Sequence, residues 1–136
     1  MPSFSATHIL RALRIVACGL IFIHGFTRIV DGGVVPFGAF LNDSHLPFGL
    51  AIAWGITLLE LVGTAVLASG HLVRPLALYF ATELCVGIEL VHVHAGWFVV
   101  GGGSNGMEYS VLLIAVFAAV ALGSEGSREP GAGSGN

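Results

Sequence analysis

The chain has 136 residues, 55% of them hydrophobic and only 10% charged, and its mean hydropathy is +0.91. A soluble domain carries about 25% charged residues, so this composition argues against a soluble enzyme, a nucleic-acid binder and a disordered chain. The net charge of -3 arises from 5 basic residues, all arginine, and 8 acids, and it forms no basic patch. Cys18 and Cys85 both lie inside apolar runs. They read as small core residues rather than a disulfide framework.

Four stretches come near the roughly 20 apolar residues that a helix needs to cross a bilayer. They fall at 9–30, 49–69, 73–95 and 106–123. Backbone groups in lipid must be satisfied within the segment, and these runs are too long for barrel strands, so the predicted fold is an all-α transmembrane four-helix bundle. A single membrane domain over 1–123 is expected, followed by a flexible Gly/Ser-rich tail over 124–136. The first stretch is read as a span and not as a cleaved leader. Arg11 and Arg14 stand directly before Ile15-Val16-Ala17-Cys18 and leave no room for an apolar leader core.

Between the first two spans, residues 31–48 contain Gly32-Gly33 and then Pro36-Phe37-Gly38-Ala39-Phe40-Leu41. This segment is expected to form a short interfacial helix or re-entrant hairpin. Pro75 suits the first turn of the third span, where a missing N–H costs nothing. Residues 101–104 read as a flexible turn. Asn105 and Glu108 have the spacing of an N-cap and its third residue, which predicts the start of the fourth span. Arg11, Arg14, Arg74 and Arg128 fall on one side of the membrane and Arg28 on the other, so both termini are expected in the cytoplasm.

Ionisable side chains at membrane depth are expensive and therefore functional candidates. With about 1.5 Å of rise per residue, Arg28 and Glu108 lie ~3 Å below the outer boundary, His92 ~4–5 Å, and His24 and Glu89 ~9 Å. Glu60 and Glu83 reach ~16–18 Å, near the midplane. His24/Arg28 and Glu89/His92 have the spacing of pairs that share one helical face. These groups are expected to line a polar pocket opening outward, suited to proton transfer or to binding a small polar or quinone-like ligand. Glu89-Leu90-Val91-His92 also has the Glu-x-x-His form of di-iron bundles, but only one copy is present. A mononuclear metal on His24, Glu89, His92 and Glu108 is the weaker alternative, and no metal is assigned. At 100° per residue Cys85, Glu89 and His92 share a face, with Glu83 and His94 nearly opposite. Glu83 therefore needs either a neighbouring helix or a second subunit.

Several segments stand out together: Arg14-Ile15-Val16 leading to His24-Gly25 and Arg28, then Leu46-Pro47, and Leu59-Glu60-Leu61-Val62-Gly63 followed by Thr64. His92 or His94 before Gly96-Trp97-Phe98, then Gly106-Met107-Glu108-Tyr109 and Gly123-Ser124-Glu125-Gly126, extend the pattern over about residues 9–127. In order and spacing these segments resemble the DoxX-like family of membrane proteins, with Thr64 where the family repeats Gly. The resemblance implies a multi-pass bacterial inner-membrane protein with redox-linked relatives, some of them the membrane part of a thiosulfate:quinone oxidoreductase. The expected function is a membrane subunit for quinone-linked oxidation of a small sulfur or thiol compound. His24, Glu60, Glu89, His92 and Glu108 would handle protons, and Arg28 and Tyr109 would contact the quinone. The sequence carries no motif for flavin, haem or an Fe–S cluster, so electrons would pass through a quinone or a partner. The expected partners are the bilayer and a second copy or another membrane or redox protein, with no nucleic acid. The alternative is a non-enzymatic transporter or membrane scaffold.

Overall fold

The computed structural model describes residues 5–101, 103 and 105–124, and every regular element among them is helical. In chain order these are α1 (Ala6–Val30), α2 (Val34–Asp43), α3 (Gly49–Ala68), α4 (Val73–Ala95) and α5 (Glu108–Gly123). Helices α1, α3 and α4, of 25, 20 and 23 residues, are long and apolar enough to span a bilayer. Helix α5 is apolar but shorter, at 16 residues. Pro75 lies in the first turn of α4, as its missing N–H requires. The predicted tail falls almost wholly outside the described residues, as do Gly102 and Ser104 of the predicted turn.

Of the short helix or re-entrant hairpin expected between the first two spans, the structure forms the helix, α2, which lies across the start of α3. The two backbones touch: a Cβ on Gly38 would stand 2.7 Å from the Leu50 Cα, and one on Gly49 would overlap the Gly38 carbonyl oxygen. Asn42 Oδ1 accepts the Gly49 N–H at 2.8 Å and closes the joint, satisfying an amide that the first turn of α3 would otherwise leave unpaired.

The start of α5 departs from expectation. The helix begins at Glu108, not Gly106, and Asn105 has φ +61°, so the predicted Asn105/Glu108 cap does not form. The amides of Gly106, Met107 and Glu108 instead donate to the carbonyls of Phe98, Gly96 and Trp97, each at 3.1 Å. Loop backbone does the capping that a side chain was expected to do.

Two apolar clusters hold the bundle together. The larger joins Cys18 and Ile21 of α1, Leu67 of α3, Phe80 of α4, and Leu113 and Phe117 of α5. Phe80 and Phe117 are fully buried with ring centroids 5.5 Å apart. The smaller, under α2, joins Val34, Leu41 and Ala53 with Phe37, Ile52 and Leu90 packed on it. Helix α3 is the central element, with 33% of its span buried against 11% for α4. Large apolar side chains such as Val16, Val62 and Leu122 cover the outer surface. That surface is matched to lipid, and the chain is a multi-pass membrane protein.

Candidate functional site

The buried seam of α3 is Ala53, Thr57, Glu60, Thr64 and Leu67, none more than 2% exposed. The four-three spacing of these residues keeps one stripe facing the neighbouring helices. Its two ends belong to the two apolar clusters, and its middle three residues are polar. They form a polar layer between the clusters.

Arg28 reaches into this layer from the C-terminal end of α1. Its Nη1 donates to Glu60 Oε2 at 2.5 Å and to Thr57 Oγ1 at 3.0 Å, and Nη2 donates to Glu60 Oε1 at 3.2 Å. The pair is bidentate and removed from solvent, with side chains 13% and 2% exposed. The Arg28 guanidinium also lies 4.6 Å from the Phe37 ring centroid, so α2 covers the ion pair with an aromatic face. Thr57 donates onward to the Ala53 carbonyl at 2.7 Å. The arginine expected at the mouth of an outward pocket is thus folded back onto Glu60.

Gly25 lets α1 approach. A Cβ there would stand 2.8 Å from the Glu60 Cβ and 3.4 Å from the Thr57 carbonyl. The His24-Gly25 dipeptide therefore has a steric reason for its second residue. His24 sits at the rim, exposed along α1, within electrostatic reach of Glu60, Arg28 and His92.

Both helices that carry the acids contain a wide turn, at Glu60 in α3 and beyond Glu83 in α4. Leu59–Gly63 in α3 and Ile88–His92 in α4 are π turns, with Val93–Ala95 continuing as 3-10 helix. In α3 the Thr64 hydroxyl donates to the Glu60 carbonyl at 2.5 Å, the group that an α-turn would have paired with the Thr64 amide. In α4 each residue of the wide turn advances less than 100°, so the helical wheel drawn across it loses register. His92 is half-buried, and its Nδ1 donates to the Asn105 carbonyl at 2.7 Å. A carbonyl only accepts, so the other ring nitrogen, Nε2, is the acceptor in the neutral imidazole.

Glu83 faces inward. Its carboxyl lies against the Glu60 carboxylate and the Tyr79 hydroxyl, and its Oε2 is buried without a hydrogen-bond partner. Between the two explanations open for Glu83, the structure places the side chain toward Glu60 of the neighbouring helix, without a hydrogen bond at Oε2. Glu83 continues the inner stripe of Leu76 and Phe80 at helical spacing. That stripe was the signal that marks it in sequence.

The structure thus joins Arg28 and Glu60 in one layer with Thr57, Thr64, Tyr79, Glu83 and Phe37, while His24 lies exposed within electrostatic reach of Glu60 and His92 is bonded to the Asn105 carbonyl. It does not gather the remaining expected residues. Glu89 is exposed on the outer surface of α4, as is Cys85, which is therefore not the core residue expected; both cysteines are free. Glu108 Oε1 accepts the Val99 N–H at 3.0 Å and pins the loop before α5. Tyr109 is 49% exposed. Among the described residues no three His, Cys, Asp or Glu side chains converge as metal ligands, so the set His24, Glu89, His92 and Glu108 is not assembled.

These features define a helical membrane protein with a buried, arginine-paired acidic layer between two apolar cores. The family model for DoxX matches residues 9–95, more than half of the chain, and the chain belongs to the DoxX family. The matched segment includes every residue of the layer and ends before α5, so the likeness at Glu108-Tyr109 and in the tail lies outside it. No curated protein and no solved structure matches the chain.

Proposed function

We propose that this DoxX-family protein is a bacterial inner-membrane subunit whose polar layer moves protons for quinone-linked oxidation of a small sulfur or thiol compound. The observation that carries this reading is Glu83 Oε2, buried in the membrane interior with no partner beside the complete Arg28–Glu60 pair. Both Glu60 oxygens are engaged by Arg28, so Glu60 acts as a positioning residue, fixing the guanidinium and the field that Glu83 senses. Glu83 has no cation of its own, and a carboxylate left unpaired there would be costly. It therefore holds a proton at its carboxyl and releases it through the Tyr79 hydroxyl. His24 and His92, at the outer rim, pass protons between the layer and water.

A quinone head fits the chemistry of these donors, since carbonyl oxygens accept from an imidazole, a phenol or a protonated carboxyl. When bound, the quinone supplies the electron acceptor. Arg28 and His24 would orient its oxygens, and the flanking apolar clusters would keep water away. With its N-terminal arginines inside, the chain has both ends in the cytoplasm.

The test is quinone reduction by the purified protein in liposomes, with thiosulfate or a small thiol as donor. Turnover that falls at least about tenfold in Glu83→Gln, with quinone binding retained, supports the reading. Absence of turnover, with a second membrane protein co-purifying from native membranes, overturns it in favour of a scaffold. The exposed Glu89 favours that second reading, because a carboxylate on a lipid-facing surface calls for a protein partner.

A further inference from the structure

At the opposite end of the bundle from α2, an open cavity of about 800 Å³ lies between the start of α1, the α3–α4 turn and the end of α5. Arg11, Arg14 and Arg74 all line it, with the hydroxyl residues Thr7 and Ser124. In a chain with only 5 basic residues, 3 of them meet at one cavity. Arg14 is held against the turn: its Nη2 donates to the Ala68 carbonyl at 3.4 Å, while its Nε is buried with no hydrogen-bond partner. A Cβ on Gly70 would come within 3.4 Å of the same guanidinium. The first turn of α4 also ends here, and the positive end of its dipole adds to the field.

We infer that this cavity binds a tetrahedral oxyanion of the phosphate class. Guanidinium forks match phosphate oxygens two at a time, and three arginines around one cavity offer several such forks. Leu10, Leu72 and Val120 supply apolar wall beside the charges, as a lipid's glycerol and upper acyl carbons require. The headgroup of an anionic phospholipid and free inorganic phosphate share this recognition chemistry. The site is remote from the polar layer and does not depend on its proposed role.

The experiment is thermal unfolding and native mass spectrometry of the full chain in neutral detergent. It is titrated separately with phosphatidylglycerol, phosphatidylcholine and inorganic phosphate. Phosphatidylglycerol is expected to bind roughly tenfold more tightly than phosphatidylcholine, and Arg14→Gln to erase that preference while Arg14→Lys keeps part of it. Should Arg14→Gln fail to fold, the Arg11→Gln variant carries the same test. Protection by inorganic phosphate equal to that by phosphatidylglycerol identifies a soluble oxyanion as the ligand of the same site. Equal binding of both lipids with no effect of phosphate, or preference unchanged in the arginine variants, overturns the inference.

Discussion

Arg28 donates to a carboxylate and a hydroxyl and stacks on an aromatic ring within a few ångströms, at a depth where water does not compete. Removing one member of such a pair leaves the other buried and uncompensated, which costs about 3–5 kcal/mol. Arg28→Ala and Glu60→Ala should each destabilise the protein by that amount in reversible unfolding from mixed micelles. The double variant Arg28→Met/Glu60→Leu should recover most of the loss, because an apolar pair needs no compensation. If the double variant is as unstable as the sum of the singles, the pair is not isolated as described. Two glycines of α1 give a sharper contrast. Gly25→Ala forces a methyl onto Glu60 and should cost about 1–3 kcal/mol. Gly19→Ala meets nothing within 4 Å and should gain about 0.5–1 kcal/mol from helix propensity.

At the scale of the element, α4 shows what a periodic reading cannot supply. A helical wheel states which residues share a face, but it does not state which face is inward. Cys85 and Glu89 lie on the outer surface and Glu83 on the inner one, because α4 packs through Leu76, Phe80 and Leu84. A nitroxide attached to Cys85 in a Cys18→Ser background should therefore relax readily with lipid-dissolved oxygen. A shielded label would place that face against protein instead. The π turn at Ile88–His92 is the second device of this helix, turning His92 toward Asn105. At the head of α5, Glu108→Ala should free the Val99 amide and lower stability by about 1 kcal/mol, with hydrogen exchange accelerated at residues 96–101 and not in α5.

Across the whole molecule, two apolar cores enclose one polar layer, and the basic cavity occupies the far end. The start of α1 and the end of α5 meet there, since a Cβ on Gly123 would overlap Leu10. The two ends of the bundle domain thus share one side of the membrane. Fusions of a fluorescent protein to either terminus should both fluoresce in the cytoplasm, and a fluorescent fusion at one end only would refute the four-span reading.

Composition and run length alone determined the membrane environment and the spanning helices, because lipid leaves a backbone no alternative to internal pairing. The choice of a helix over a hairpin at α2 came from the structure. Of the residues in the resemblance, Gly25, Arg28 and Glu60 do meet. The threonines beside them were legible in principle as a stripe at 57, 60 and 64, but hydroxyls in an apolar run carry no partner label. Only the tertiary structure decided that Arg28 closes on Glu60, that Glu83 turns inward while Glu89 turns out, and that Glu108 holds a loop. Those outcomes depend on which helices stand beside which, and on two wide turns that reset the angular register, and neither quantity is written in the spacing along a single segment.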